Sequence, residues 1–391
     1  MIAAGSGLAL AASPPDAAIE ASLAAVAAAG RDHADLAIVF ASADTAPAAH
    51  AMLHAVRRVT GARVVVGASG MGVLTERGEV EGRTAVAVLV VHDSRLVATP
   101  ALVPDQTRPD TAETLAAALA PTLAEGGCLL ALPDAAGLDP RALLQGLADA
   151  LGPVPVMGAV AAGMPSFVLH NTEPAHGAFV GLALSGAAPV VGVAQGCEPI
   201  GEPYVITRAE GQVVYEIGSR PALTVLKEAL HSLPGGGERA QRAGIFAGVA
   251  IDPSKSPLAR GDFLVRNLVG VDQANGAVAV AEPVRVGQTF QFQIRDAAAS
   301  RADLIATLEE MRGRLGTRRP AFGCYFNCAG RGQGLFGVPD HDVTLIRERL
   351  GSFPLAGFFG NGELAPVGGH NFFHTYTGVL VVVPHPDAAE A

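Results

Sequence analysis

The stretch Leu350–Glu363, LGSFPLAGFFGNGE, sets Gly351, Gly357 and Gly362 six and then five residues apart. The same spacing separates Gly61, Gly67 and Gly72 in TGARVVVGASGMG (60–72) and Gly152, Gly158 and Gly163 in LGPVPVMGAVAAG (151–163). Each ruler closes one local plan. In the first, DLAIVFAS (35–42) is a short apolar run suited to a strand buried on both faces. A helix comes next, with Pro47 near its start and Met52, Val56 and Val59 at helical spacing, and Gly61 stops it. RVVVGAS (63–69) and TAVAVLVV (84–91) read as two more strands.

The second copy runs CLLALPD (128–134), a helix with Asp139 as N-cap and Pro140 in its first turn, VPVMGAV (154–160) and GAFVGLALSG (177–186). The third runs AFGCYFNC (321–328), a helix with Asp340 as N-cap, FPLAGFF (353–359) and YTGVLVVVP (376–384). A strand, a short helix and a second strand pair in parallel through a right-handed crossover. Both loops of a unit then sit at the carboxyl edge of the sheet, where open α/β sheets bind ligands. The loops Cys328–Gly334 and Gly360–Glu363 are therefore expected to be neighbours.

A different segment separates copies two and three. YVITRAEGQVVYEIG (204–218) alternates around Glu210-Gly211 as a hairpin, and PALTVLKEALHSL (221–233) is an amphipathic helix. PGGGERAQRAG (234–244) reads as a flexible connection, FLVRNLVGVDQANGAVAV (263–280) as a hairpin with an Asn-Gly turn, and FQFQIRD (290–296) as a strand. The fold class is α/β (α+β): repeated strand-helix-strand-strand units forming layered sheets flanked by helices. Two domains are expected, 1–198 with two units and 199–391 with the hairpin-rich insert and the third, the boundary near Pro199.

Charge and composition narrow the function. The chain has 37 acids against 27 bases, net −10, and no Lys/Arg-rich run, so it lacks the footprint of a nucleic-acid binder. Four cysteines in 391 residues do not form a disulfide framework; reduced thiols in the cytoplasm are expected. Between Pro153 and Cys197 the only charged residue besides histidine is Glu173, yet glycines and prolines cut the run into strand-sized pieces, so no membrane insertion is expected. Met1–Ala12 resembles a signal h-region, but no base precedes it and Gly5 and Gly7 interrupt it.

The three rulers lead into different side chains. The second offers only backbone, the first Ser69, and the third Asn361, Glu363, His370, Asn371 and His374. Across the sheet edge, Asn327 and Cys328 end a strand before a loop whose glycines can turn N–H groups toward an anion, with Arg331 able to grip a carboxylate. Such a site suits a zwitterion such as an amino acid. The bland alternative is a glycine-rich turn with a solvated arginine, Asn361 in a left-handed turn and Glu363 as a cap or ion-pair partner. Cys328 is an alternative nucleophile, with His374 or His341 as base. Zinc is not expected, because C-x3-C on an extended strand holds its sulfurs about 13 Å apart. No phosphate-binding or dinucleotide fingerprint occurs, so no cofactor is expected.

The segments GCEPIGEPYVITRAEGQVVYEIGSRPALTVLKE, FNCAGRGQGLFG, HDVTLIRERLG, PLAGFFGNGELAPVGG and FFHTYTGVLVV resemble FIST proteins, and ADLAIVFAS through VVVGASGMG resembles the FIST N domain. The resemblance implies a sensory module for amino acids or similar small metabolites, found in bacteria beside signalling domains or alone, with no established catalysis. Positions matching Cys328, Arg331, Gly332, Gly362 and Glu363 recur in the family's C-terminal motif. With Asn327, Asn361 and His374 they form the expected ligand-binding set. The chain carries no output domain, so a separate signalling partner is expected; a homo-oligomer is compatible with the sequence.

Overall fold

The computed structural model describes residues 2–386 apart from 125, 187, 234–237, 240–242, 253 and 260. The expected connection 234–244 thus lies largely outside the described residues. The chain divides into two compact units, Met1–Val193 with Thr307–Ala391, and Ala194–Ala306. These do not coincide with the expected halves 1–198 and 199–391. The third repeat shares one unit with the first two, and the intervening segment stands as a unit by itself.

In the first unit each repeat supplies the parallel pair that its sequence predicts. Leu36–Ser42 pairs with Val64–Gly70, Gly127–Pro133 with Val156–Ala159, and Pro320–Cys328 with Leu355–Gly360. The ruler explains itself in this geometry. Gly61, Gly152 and Gly351 end the intervening helices with φ of 63°, 70° and 83°. At the second mark the neighbouring parallel strand comes too close for a side chain. A Cβ would lie 1.8 Å from the Val39 carbonyl oxygen at Gly67, 1.9 Å from that of Ala131 at Gly158, and 1.9 Å from that of Tyr325 at Gly357.

Each parallel pair is extended on one side by two further strands, one from its own repeat and one that precedes the repeat. On the other side it is extended by a hairpin from a different repeat. The first sheet runs Ala3–Leu10, Ala85–His92, Leu36–Ser42, Val64–Gly70 and then Val168–His170 and Glu173–Ala175, the hairpin of repeat two. The second runs Val97–Val103, Phe179–Ser185, Gly127–Pro133, Val156–Ala159 and then Glu363–Val367 and His370–His374, the hairpin of repeat three. The third runs Val190–Ala194, Gly378–Pro384, Pro320–Cys328, Leu355–Gly360 and then Gly72–Thr75 and Gly78–Glu81, the hairpin of repeat one. The exchange is cyclic: one gives to three, two to one, and three to two.

Backbone hydrogen bonds tie the crossings together: Ala162 N–H to Ser69 O, Asn361 N–H to Val160 O and Met71 N–H to Phe359 O. The Ser69 hydroxyl adds a staple, donating to Ala162 O at 3.0 Å and accepting from Phe167 N–H at 2.9 Å. The inner faces of all three sheets meet in one core, where Phe40 lies 4.8 Å from Phe358 and 6.1 Å from Phe326 between ring centroids. Helices Pro14–Ala29 and Ala49–Thr60 cover the outer face of the first sheet. Thr111–Leu123 and Pro140–Leu151 cover the second. The segment that resembled a signal h-region is the edge strand Ala3–Leu10. Its two glycines admit the first helix, since a Cβ on Gly5 would lie 2.1 Å from Ala25 O.

Among the described residues the second unit is an antiparallel sheet of seven strands whose first, Glu198–Glu210, pairs again with Val213–Ile217, so the sheet returns on itself. Its hairpins turn at Gly211 (φ 57°) and Gly276 (φ 65°), and helix Ala222–His231 buries Leu223 and Leu226 in a core with Phe290 and Phe292. Among the described residues no helix is long and apolar enough to cross a membrane.

Candidate functional site

The third repeat ends in a buried polar centre. Strand Pro320–Cys328 is buried along almost its whole length, so the polar side chains near its end are carried inside with it. Cys328 faces Gly360 across the parallel pair, and Ala329 N–H donates to Gly360 O, so the two glycine-rich loops are neighbours. Arg331 is 1% exposed and makes a two-pronged ion pair with Asp342, Nε to Oδ2 at 2.9 Å and Nη2 to Oδ1 at 3.2 Å. Asp342 Oδ2 also accepts from the Tyr325 hydroxyl at 2.9 Å and the Asn327 amide at 3.2 Å, and its Oδ1 contacts His341 Nδ1 at 2.8 Å. Phe336 lies over the guanidinium, its ring centroid 5.4 Å from Arg331 Cζ, and stacks on His341.

Glu363 opens the hairpin that repeat three gives to the second sheet, opposite His374, and is fully buried. Its Oε2 accepts from the Thr377 hydroxyl at 2.6 Å and from Thr377 N–H at 3.2 Å. Thr377 O in turn accepts from Cys328 N–H, so this one residue connects Glu363 to the strand end. His374 Nε2 contacts Ala365 O at 3.2 Å. From the other direction comes the hairpin of repeat one. Glu79 Oε1 accepts from Val343 N–H at 3.0 Å, and Glu81 Oε1 accepts from Gln333 N–H at 2.8 Å. Alternate residues of one strand thus hold the N-terminal amides of helices His341–Leu350 and Gln333–Phe336.

The electrostatics stem from burial. Burial drives the Glu363 carboxyl up to about 8, against the Thr377 hydrogen bonds and the more distant Arg331 charge. Glu79 also rises to about 8, first through burial and then through Asp342 nearby. Burial would raise Asp342 as well, but Arg331 and His341 hold it well below the ordinary carboxylate range. Burial would lower Arg331, but Asp342 and Tyr325 outweigh it and the guanidinium stays charged. Burial thus favours the neutral form of Glu363 and of Glu79 on either side of the Arg331–Asp342 ion pair. Four buried polar atoms in it have no hydrogen-bond partner: Arg331 Nη1, Asn327 Oδ1, Glu363 Oε1 and Glu79 Oε2.

The structure gathers Asn327, Cys328, Arg331, Glu363 and His374 around this centre, all buried. It leaves Asn361 exposed at a crossing, where its N–H donates to Val160 O. The left-handed residue there is Gly362, φ 106°. Gly332 (φ 69°) lies against Glu81, whose carboxylate oxygen would stand 2.5 Å from an added Cβ. Arg331 is not the solvated arginine of the bland alternative. Asp340 does not cap its helix with its side chain; it is left-handed (φ 57°) and its Oδ1 accepts from Glu79 N–H at 2.6 Å. Sequence reasoning missed Asp342, Tyr325, Thr377 and Glu79. Asp342 had a signal, an acid in the first helical turn within reach of Arg331; Glu79 had none, because it arrives from another repeat. The described residues contain no group of three or more His, Cys, Asp or Glu that would hold a metal ion.

Comparison with known proteins places the chain. The FIST N domain matches residues 35–220 and the FIST C domain residues 222–366. An uncharacterized protein of Mycobacterium tuberculosis is 34% identical over 360 residues, 89% of this chain and 90% of its own length. Another, of Mycobacterium bovis, is 41% identical over 203 residues, 52% of each chain. Among solved structures, cyanuric acid hydrolase from A. caulinodans aligns over 99% of this chain and 100% of its own, at 14% identity and a TM-score of 0.35. A second cyanuric acid hydrolase structure aligns at 12% identity and a TM-score of 0.33, covering 98% of this chain and 100% of its own. At that likeness nothing about activity carries over. Matched across most of its length by both domains and by a full-length relative, the chain belongs to the FIST family, whose domains are in general small-ligand sensory modules.

Proposed function

We propose that this protein senses an amino acid or a similar small zwitterion at the polar centre of the third repeat and reports it to a separate signalling partner in the cytoplasm. The observation that carries the reading is the set of unpartnered buried atoms. Arg331 Nη1 is a cationic donor and Asn327 Oδ1 an acceptor, and Glu363 Oε1 becomes an acceptor when a bound ammonium lowers the carboxyl's pKa and its proton leaves to solvent. A buried polar atom without a partner costs about 1–3 kcal/mol, so a ligand that satisfies these three gains in proportion. The carboxylate of an amino acid complements the guanidinium, and its ammonium complements the two oxygens. Entry requires the segment after Cys328, which carries Arg331, to move. Such a displacement also disturbs the contacts of Glu79 and Glu81 with the two helices, which gives a partner something to read. Asn361, exposed at the crossing, and Gly332, buried against Glu81, act in this scheme through the backbone. The nucleophile reading of Cys328 gains no support, since its thiol is buried and His341 and His374 each contact another group.

The test is a thermal-shift screen of the purified protein against the amino acids and small carboxylates. Removing Arg331 would strand Asp342 without its cation, so the informative variants are Asn327→Ala and Glu363→Gln. At about 100 times Kd a ligand contributes about 2.7 kcal/mol to the native state. The expected result is a rise in melting temperature for wild type that both variants reduce. If no compound raises it, or if both variants respond as wild type does, the reading fails.

A further inference from the structure

At the opposite edge of the sheets from the polar centre lies a cavity of about 850 Å³. It is walled by Ile2 and Asp93, which flank strands of the first sheet, by Gly127 and the strand-flanking Gly186 of the second, and by Val191 and Val383 of the third, so all three sheets meet at its rim. Its size falls within the range of small-molecule sites, and mouths of closed β structures are a common place for them. Its lining has two chemistries. Prolines such as Pro155, Pro189, Pro366 and Pro384 give apolar walls that offer no N–H, and Arg95, Arg314 and Arg318 bring three permanent positive charges.

In a chain of net charge −10, the lining holds three arginines and a single carboxylate, Asp93. Asp93 is committed locally: its Oδ1 accepts from Arg95 N–H at 3.1 Å and stands 3.6 Å from Arg95 Nε. Arg314 and Arg318 are held by backbone carbonyls instead. Arg314 Nη1 donates to Val191 O at 2.7 Å, and Arg318 donates to Leu315 O at 3.4 Å and Arg314 O at 3.2 Å. Among the described residues no carboxylate forms an ion pair with either. Carbonyl anchoring positions a guanidinium without neutralising it. Placement at the C-terminus of helix Ala297–Leu315 accounts for some of this arginine content through the helix dipole. It does not account for Arg95, which reaches the same cavity after strand Ala85–His92.

We infer that this cavity is a second ligand site, independent of the polar centre, for a small organic oxyanion with an apolar body, a carboxylate or a phosphate ester. The oxyanion sits against Arg314 and Arg318 with Arg95 beside it, and the body lies against the proline walls.

The experiment is isothermal titration of the full chain with phenyl phosphate and with phthalate, and benzyl alcohol as the uncharged comparison. Wild type is expected to bind at least one anion with Kd of about 1 mM or tighter, and not the alcohol. Which anion binds more tightly separates the phosphate source from the carboxylate source. The double variant Arg314→Gln/Arg318→Gln is expected to weaken binding about tenfold or more, since both charge-assisted contacts to the oxyanion are lost. Arg58→Gln, an exposed arginine on helix Ala49–Thr60, changes nothing. Arg95→Gln, exposed and outside helix Ala297–Leu315, tests the site if the double variant melts early. The inference is overturned if neither anion binds at about 1 mM, if the alcohol binds equally well, or if variants that keep the wild-type melting temperature bind as wild type does.

Discussion

Arg331 carries its counter-ion with it: Asp342 takes two of its donors, and Tyr325, Asn327 and His341 hold Asp342 in turn. Glu363, the last residue of the second loop, has no such cation in contact and favours its neutral form instead. Its folded value of about 8 stands above the ordinary 4.5. Between those values the folded chain holds a proton that the unfolded chain has released, so stability falls as pH rises across that window and is fully present below it. Glu363→Gln keeps the group neutral at every pH. The variant is expected to melt with wild type near pH 4.5 and about 5 °C or more above it at pH 8.5, as thermal melts across that range will show. Glu79, raised for the same reason, leaves part of the slope in the variant. Equal melting at both ends would mean that Glu363 ionises normally. At this scale the sequence revealed Arg331 and Glu363, because their loops adjoin a visible ruler. It hid Asp342, because Asp340 beside it has the better N-cap position by spacing and in the fold turns left-handed to receive Glu79 N–H.

Among the elements, the helices that cross over within each repeat and the parallel strands were legible because their ends carry local chemistry, whereas Pro14–Ala29, Thr111–Leu123 and Ala297–Leu315 were not read from the sequence. Asp139 caps its helix as its spacing predicts, accepting from Arg141 and Ala142 N–H. The three exchanged hairpins were not legible. Their partners lie in other repeats, so neither turn residues nor periodicity records where they go; the sequence leaves 73–81 unassigned, and in the fold Val73 lies beside Phe358. The middle glycine of each ruler gives a sharp test at this scale. In Gly357→Ala the new methyl meets the Tyr325 carbonyl at 1.9 Å, a rigid neighbour in a buried strand. Loss of about 3 kcal/mol or more is expected in urea denaturation. Gly334→Ala, where nothing lies within 4 Å of the added carbon, is expected to cost about 0.5 kcal/mol or less. Comparable losses in both would show that the ruler does not mark close approach.

For the three-repeat unit, cyclic exchange means that no repeat owns a complete sheet. A fragment comprising residues 320–384 contains one whole repeat by sequence, yet its parallel pair lacks the Gly72–Glu81 hairpin and its own hairpin lacks the sheet of repeat two. Expressed alone it is expected to stay unfolded, with collapsed amide dispersion in its NMR spectrum and no cooperative melt; a sharp, reversible transition would refute the dependence. The exchange also bears on how the molecule is made. Ribosomal synthesis releases Val73 and Leu74 early, but the strand that houses them, around Gly357 and Phe358, emerges near the end. Until then two fully buried residues of the finished protein are carried on an unpaired, sticky edge. A transcript cut short anywhere before that strand yields a chain whose earliest hairpin has no home, so truncation damages the part already made as well as the part left out.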